Sequence, residues 1–219
     1  MKKLVWVVLS VFILVGWQAM SEPNLQEIYK NIDLMSSKNT PQTYKVRVEN
    51  GKFEEALKEL PKDILSGSGK PYVSIYFKKG EGVRIVIENV QSEYASLFSY
   101  IEDYVKFSGI SKVENPPEFK EMIDKGMVAP YKEDKDYVIL KGWDPKKGVK
   151  DDNYALFYLT KKNWVIEKAI YYVDGTPFVQ ADNSYKKYGQ YYLPYKIVLT
   201  SLNDNSQDVF NLKDYSFSD

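Results

Sequence analysis

The sequence predicts an α+β, mostly β fold: one long antiparallel sheet curled into a half-barrel over a few helices. Three observations carry this. From Asp136 to the end the chain divides into runs of strand-forming residues separated by turn signals. Three further strand-like runs lie before residue 90, and short amphipathic helical segments stand between the runs. A long meander with one apolar face must cover that face, either with helices or by curling.

The first residues read as an export signal rather than as part of the fold. Lys2 and Lys3 precede an apolar run from Leu4 to Trp17, interrupted by Ser10 and Gly16, and Ala19-Met20-Ser21 supplies small residues at the cleavage positions. Residues 1–21 are expected to be a signal peptide cut after Ser21, which places the protein outside the cytoplasm, in the periplasm. The alternative is an uncleaved anchor in the inner membrane, but Leu4 to Met20 falls short of the roughly 20 apolar residues a spanning helix needs. Residues 22–219 are expected to form a single domain.

The domain opens with a helix capped by Asn24, with Leu25, Ile28 and Ile32 as its apolar stripe and an end at Ser36-Ser37. Residues 42–49 alternate, Tyr44, Val46 and Val48 on one side and Lys45, Arg47 and Glu49 on the other, as a half-buried strand does. Phe53, Ala56, Leu57 and Leu60 mark a short helix ended by Pro61. Strands are predicted at 72–78 and 83–89, joined through Gly80-Glu81-Gly82. A long helix follows from Ser92 over 92–109, striped by Tyr94, Leu97, Phe98, Ile101, Tyr104 and Val105. A shorter helix starts at Pro117, turns Phe119, Met122 and Ile123 inward, and stops at Gly126. The remaining strands are predicted at 136–142, 153–160, 164–173, 176–185, 191–201 and 207–217.

Turn chemistry fixes an expected register. A two-residue hairpin at Asp174-Gly175 pairs Val173 with Thr176, Ile170 with Val179 and Lys168 with Ala181. A turn at Lys162-Asn163 sets Ile166 opposite Leu159 and Ile170 opposite Ala155. Cross-strand partners share a face, so Ala155, Phe157, Leu159, Ile166, Ile170, Tyr172, Val179 and Ala181 are expected on one apolar surface.

The C-terminal block carries a family resemblance. Tyr154-Ala155-Leu156-Phe157-Tyr158-Leu159, Trp164-Val165-Ile166-Glu167-Lys168, Val173-Asp174-Gly175 and Tyr185…Gly189…Leu193-Pro194-Tyr195-Lys196-Ile197 resemble the outer-membrane lipoprotein-sorting (LolA-like) proteins and their periplasmic relatives of the RseB/MucB type. The resemblance covers about 130–217 well and 24–90 loosely. It implies the half-barrel and a role as lipid carrier, lipoprotein chaperone or envelope stress regulator. The chain departs from the carriers at their early Arg-Pro pair, where it has Lys70-Pro71, and at their Asp-Gly before an aromatic strand, where it has Gly80-Glu81-Gly82.

Composition narrows the chemistry. With no Cys, disulfides, thiolate nucleophiles and thiolate metal sites are excluded. With no His, the usual general base and the commonest transition-metal ligand are missing, so Ser-His-Asp triads and zinc-protease helices are excluded. Basic and acidic residues number 30 each, and Arg47 and Arg84 are the arginines. Phosphate and base-edge recognition leans on Arg forks, so nucleic acid is not an expected partner.

Local motifs read as ordinary turns and solvated faces. Gly67-Ser68-Gly69-Lys70 lacks the first Gly and the final Ser or Thr of a phosphate loop. Ser184-Tyr185-Lys186-Lys187 has Ser-x-x-Lys spacing but reads as a β-turn without the companion motifs. Asp144, Asp151, Asp152 and Asn153, like Asn203, Asp204, Asn205 and Asp208, lack calcium-loop spacing. Glu54-Glu55 and Glu102-Asp103 diverge on helices. The 19 Tyr suit either a β-rich outer face or an amphipathic lining.

The expectation is a binding protein and not an enzyme, with no catalytic residues, metal or cofactor. Its partners would be a lipid or the acyl chains of a lipoprotein, with an inner- or outer-membrane protein as a further partner. Strand alternation nominates Val73, Ile75, Phe77, Val83, Ile85, Ile87, Phe157, Ile166, Ile170, Val179, Ile197 and Leu199 as the concave apolar ligand-binding face. A pocket of several hundred Å³ between sheet and helices is expected there. The alternative is a regulatory or sensor domain, RseB/MucB-like, that binds a membrane protein.

Overall fold

The computed structural model describes residues 24–94 and 114–218. The expected signal segment and nearly all of the long helix from Ser92 lie outside the described residues; the described start of the latter, 92–94, is a 3-10 turn. Chain order is α1 (Leu25–Asn39), β1 (Thr43–Glu49), α2 (Gly51–Lys58), a 3-10 turn (Lys62–Ile64), β2 (Tyr72–Lys78), β3 (Gly82–Glu88) and α3 (Pro116–Asp124), then β4 (Val128–Glu133), β5 (Tyr137–Trp143), β6 (Tyr154–Thr160), β7 (Ile166–Val173), β8 (Thr176–Tyr188), β9 (Tyr191–Ser201) and β10 (Gln207–Ser218).

All ten strands form one antiparallel sheet in the order β3-β2-β1-β10-β9-β8-β7-β6-β5-β4. Neighbours in the sheet are neighbours in sequence except at β1 and β10, where the two halves of the chain meet. Among the described residues β3 and β4 are the edges of the sheet, so it does not close. The core lies between the concave face and the helices: Ile28 and Ile32 of α1, Phe53 and Leu57 of α2, and Phe119 and Met122 of α3 pack with the inward strand residues. Burying each such side chain contributes roughly 1.5–3 kcal/mol. Among the described residues no helix is long and apolar enough to cross a membrane.

The helix ends follow from local chemistry. Asn24 Oδ1 accepts from Gln26 N–H, and Asn50 Oδ1 accepts from Lys52 and Phe53 N–H. Helix α1 continues past the expected break at Ser36-Ser37 because both hydroxyls find acceptors without ending it: Ser37 Oγ donates to Leu34 O at 2.7 Å and Ser36 Oγ to Glu114 O at 3.1 Å. Pro116 opens α3, and Gly126 beyond its end takes a φ of 62°, the left-handed turn for which glycine is suited.

The predicted strands match the observed ones to within a few residues, and β4 is an addition. Only Val128 of its six residues is buried, Pro130 sits in it, and its register shifts between Pro130 and Lys132. Pro cannot donate to a ladder and is tolerated at an edge, so this strand carries neither alternation nor a clear strand composition.

The register at β7–β8 requires a correction. Asp174 and Gly175 turn the hairpin with φ of 49° and 73°, and Val173 pairs with Thr176 as expected. Tyr172 then pairs with Pro177 but Tyr171 pairs with Val179, leaving Phe178 as an extra residue. Pro177 has no N–H to continue the ladder, and the bulge falls beside it. A second irregularity beside Glu167 sets Ile166 opposite Leu159, as expected, but Ile170 opposite Leu156. Ile170 and Val179 therefore lie on opposite faces. Val179 shares the concave row with Ala155 and Tyr171, whereas Ile170 is on the outer face with Gln180 and Leu156. Lys168 pairs with Asp182 rather than Ala181, which clears the one charged residue from the concave row; Tyr172 also moves outward. Ser184 to Lys187 lie within β8 rather than in a turn.

Candidate ligand-binding site

The concave face is built by alternation on ten strands. On the N-terminal side three cross-strand rows form it: Val48 with Val73 and Ile87, Val46 with Ile75 and Ile85, and Tyr44 with Phe77 and Val83. On the C-terminal side Leu140, Phe157, Ala169, Ala181 and Leu199 make one continuous row across β5 to β9. Ile197, two residues before Leu199 on β9, shares this face and pairs with Phe210 on β10. The nominated residues thus share one face, Ile170 excepted.

They are not equally covered. Val73, Ile75, Phe77, Ile87, Phe157, Ile166, Ile197 and Leu199 are buried. Val83 and Ile85 on edge strand β3 are half-buried and pack against the core. Val179, near the hairpin end of β8, is also half-buried. Apolar surface is therefore left over at the β3 edge and at the β7–β8 end of the concavity.

A polar centre lies inside this apolar face, and sequence reading did not find it. Glu114, just before α3, is 4% exposed. Its Oε2 accepts a 2.6 Å hydrogen bond from Tyr44 Oη, while its Oε1 is buried and without a partner among the described residues. Burial pushes its carboxyl up to about 7, against the weaker opposing effect of the Tyr44 hydrogen bond. Tyr185 and Tyr215 approach from β8 and β10, and their hydroxyls donate to Ile166 O at 3.0 Å and Pro194 O at 2.6 Å. Tyr44 stacks on Phe77 and meets Tyr215 edge-on, at centroid distances of 4.9 and 5.4 Å. Burial, then the charge of Glu114, holds the Tyr44 phenol well above its ordinary range. Tyr44 was legible as an inward residue from its alternation with Val46 and Val48; nothing local marks Glu114.

Cavities follow this division. Beside Glu114, a nook of about 10 Å³ is lined by residues of α1, β8, β9 and the β6–β7 turn, including Ser36, Trp164, Tyr185 and Tyr192. That is room for about one water. A cleft of about 660 Å³ lies elsewhere, at the β2–β3 turn end of the sheet, and no helix residue lines it. It wraps the end of the sheet, lined by Lys45, Tyr76, Arg84 and Ser216 of the outer face and by Tyr44, Phe77, Val83 and Phe217 of the concave face. The nook lies between helix and sheet but is far smaller than the several hundred Å³ expected there, and the cleft has no helix in its lining.

The outer face has its own order. Lys45 Nζ lies 2.9 Å from Glu88 Oε1 and 5.0 Å from the centre of the Tyr76 ring. Arg47 and Arg84 lie over Tyr72 and Tyr76 at 5.1 and 5.4 Å. The acidic runs weighed as calcium ligands close turns instead: Asp144 accepts from Lys146 N–H, Asp151 from Asn153, and Asp204 from Ser206. Residues 67–70 are loop.

No known family's sequence pattern and no curated protein matches the chain. Solved structures do. A domain assigned to outer membrane lipoprotein sorting in Vibrio parahaemolyticus superposes with a TM-score of 0.52 at 11% identity, covering 89% of this chain and 94% of that one. A DUF1329 family protein from Desulfovibrio piger gives 0.46 at 14% identity, over 89% and 93% of the two chains. A LolA superfamily protein from Nitrosomonas europaea gives 0.39 at 12%, over 90% and 94%. The first of these, with the unclosed ten-strand sheet and its inward helices, shows that this chain has a LolA-like fold.

Proposed function

We propose that the protein is a non-enzymatic carrier of the cell envelope that holds a lipid, or the acyl chains of a lipoprotein, against the concave face of its half-barrel. The observation that carries this reading is a largely apolar concave face roofed by helices on a sheet that does not close among the described residues, with half-buried Val83 and Ile85 left over along β3. Helices packed on a sheet can move without breaking the ladder of strands. Each enclosed methylene contributes roughly 0.8 kcal/mol, so a cavity that takes up most of a chain competes with a bilayer. The fold shared with a domain assigned to lipoprotein sorting supports the same reading, as do the export pattern of residues 1–21 and the expected periplasmic location.

The test is displacement of a fluorescent fatty acid from wild type, Ile85→Glu and Ile170→Glu. Saturable binding that is weakened at least tenfold by Ile85→Glu and unchanged by Ile170→Glu supports the carrier. Equal loss in both folded variants, or no binding by wild type, contradicts it.

A second reading, a regulatory or sensor domain that binds a membrane protein, is favoured by one observation. The concave face is densely filled where it is described, with Leu140, Ala169, Ala181 and Leu193 all at 0% exposure. Such a domain would co-purify with a protein and not with a lipid.

A further inference from the structure

The join between the helices and the sheet is made at one buried carboxyl. Glu114 ties three elements together: its Oε2 accepts from Tyr44 on β1, its carbonyl oxygen accepts from Ser36 on α1, and it leads directly into α3. Asn115 extends the join, its Oδ1 accepting from Gly80 N–H in the β2–β3 turn at 2.8 Å. Lys79 Nζ of that turn donates to Ser36 O at 3.2 Å. These contacts hold α1 and the start of α3 to one end of the sheet.

We propose that Glu114 is a proton-operated latch: protonated, it keeps α1 and α3 seated on the concave face, and its ionisation favours their release from that end of the sheet. The geometry makes the carboxyl proton-dependent. Among the described residues Oε1 has no partner, and the side-chain hydrogen bond the carboxyl receives, from a phenol, is on the other oxygen. The titratable groups that face it among the described residues are the phenols of Tyr44, Tyr185 and Tyr215 from β1, β8 and β10. The nearby ammonium, Lys79, is engaged with the Ser36 carbonyl and is itself partly desolvated. A carboxylate formed here is buried beside a nook with room for about one water, with no ion pair among the described residues, and moving the helices away opens it to bulk solvent.

The sign follows from linkage. Seated, the carboxyl titrates at about 7; released into water it would return towards its ordinary value of 4.5. Below both values the latch is fully favourable. As pH rises between them, the released form loses its proton first, and the seated form loses its advantage until it ionises too, near 7. The chain has no His, so no imidazole titrates in this window. The inference does not depend on what the concave face carries.

The experiment is hydrogen exchange of the full chain from pH 5 to pH 8, corrected for the intrinsic pH dependence of amide exchange. Amides of α1, α3 and the 79–82 turn should exchange progressively faster from pH 5 and level off above about 7, by on the order of a hundredfold. Glu114→Gln, which still accepts from Tyr44 but cannot ionise, should remove that rise. Tyr44→Phe deletes the hydrogen bond to the carboxylate and should move the levelling-off point upward. A flat corrected profile in wild type, the same rise in Glu114→Gln, or an unmoved point in Tyr44→Phe would overturn the latch.

Discussion

The ring of Phe157 on β6 lies directly over Gly142 on β5, so close that a Cβ at residue 142 would stand 2.8 Å from Phe157 Cε2. Phe157 is 4% exposed and flanked by Leu140 and Ala169, so its ring has little room to retreat. Gly142→Ala should therefore destabilise the fold by about 1–3 kcal/mol through overpacking. Chemical denaturation would show this as a lower midpoint with an unchanged slope. Phe157→Leu in the same background should recover part of the loss.

The buried carboxyl sets a pH dependence of global stability as well as of local release. The native value of Glu114 is raised to about 7 and the unfolded value is the ordinary 4.5, so the unfolded chain gives up this proton first. Its contribution is fully present below about 4.5, declines as pH rises, and levels off above about 7, a loss on the order of 3 kcal/mol. Urea midpoints between pH 5 and 8 should fall in wild type and stay nearly level in Glu114→Gln.

Asn50 serves two elements at once. It caps α2 and donates from Nδ2 to Val209 O on β10 at 3.0 Å, while itself 4% exposed. Asn50→Asp keeps the cap and loses the donor; Asn50→Ala loses both. The expected order of stability is wild type, then Asp, then Ala, with Ala costing about 1–3 kcal/mol. Thermal melts of the three proteins check it.

Why some of this was legible and some was not is a matter of range. The β2, β6 and β9 boundaries follow from alternation and Gly-containing turns, which act over a few residues. The inward direction of Val73, Ile75, Phe77 and Phe157 follows from the same period of two. The Ile170–Val179 error has a local cause with a long consequence. The irregularity beside Glu167 turns Ile170 outward and the extra residue at Phe178 keeps Val179 inward, and a bulge leaves no fixed mark in composition. Strand β4 was hidden because an edge strand with Pro130 has little burial to pattern it. The Glu114 centre was hidden for the opposite reason: its partners Ser36, Tyr44, Tyr185 and Tyr215 are brought from distant parts of the chain by the sheet's curl, and an isolated Glu in the sequence reads as solvent-facing.

Turn geometry at the β7–β8 tip gives a further expectation. Asp174 and Gly175 both have positive φ, and Gly175 N–H donates to Asp152 O at 2.8 Å across to the β5–β6 loop. Gly175→Val strains the left-handed position while Asp174→Asn preserves it. The Val variant should lose about 1 kcal/mol or more and show faster exchange at the hairpin tip, whereas the Asn variant should match wild type.

Native mass spectrometry of the protein purified from its own cell envelope addresses the carrier most directly. The carrier reading requires a folded protein bearing a discrete added mass that is released by organic solvent and identified as a lipid or acylated peptide. A folded protein at its bare polypeptide mass, accompanied by a stoichiometric membrane protein and no lipid, would contradict it.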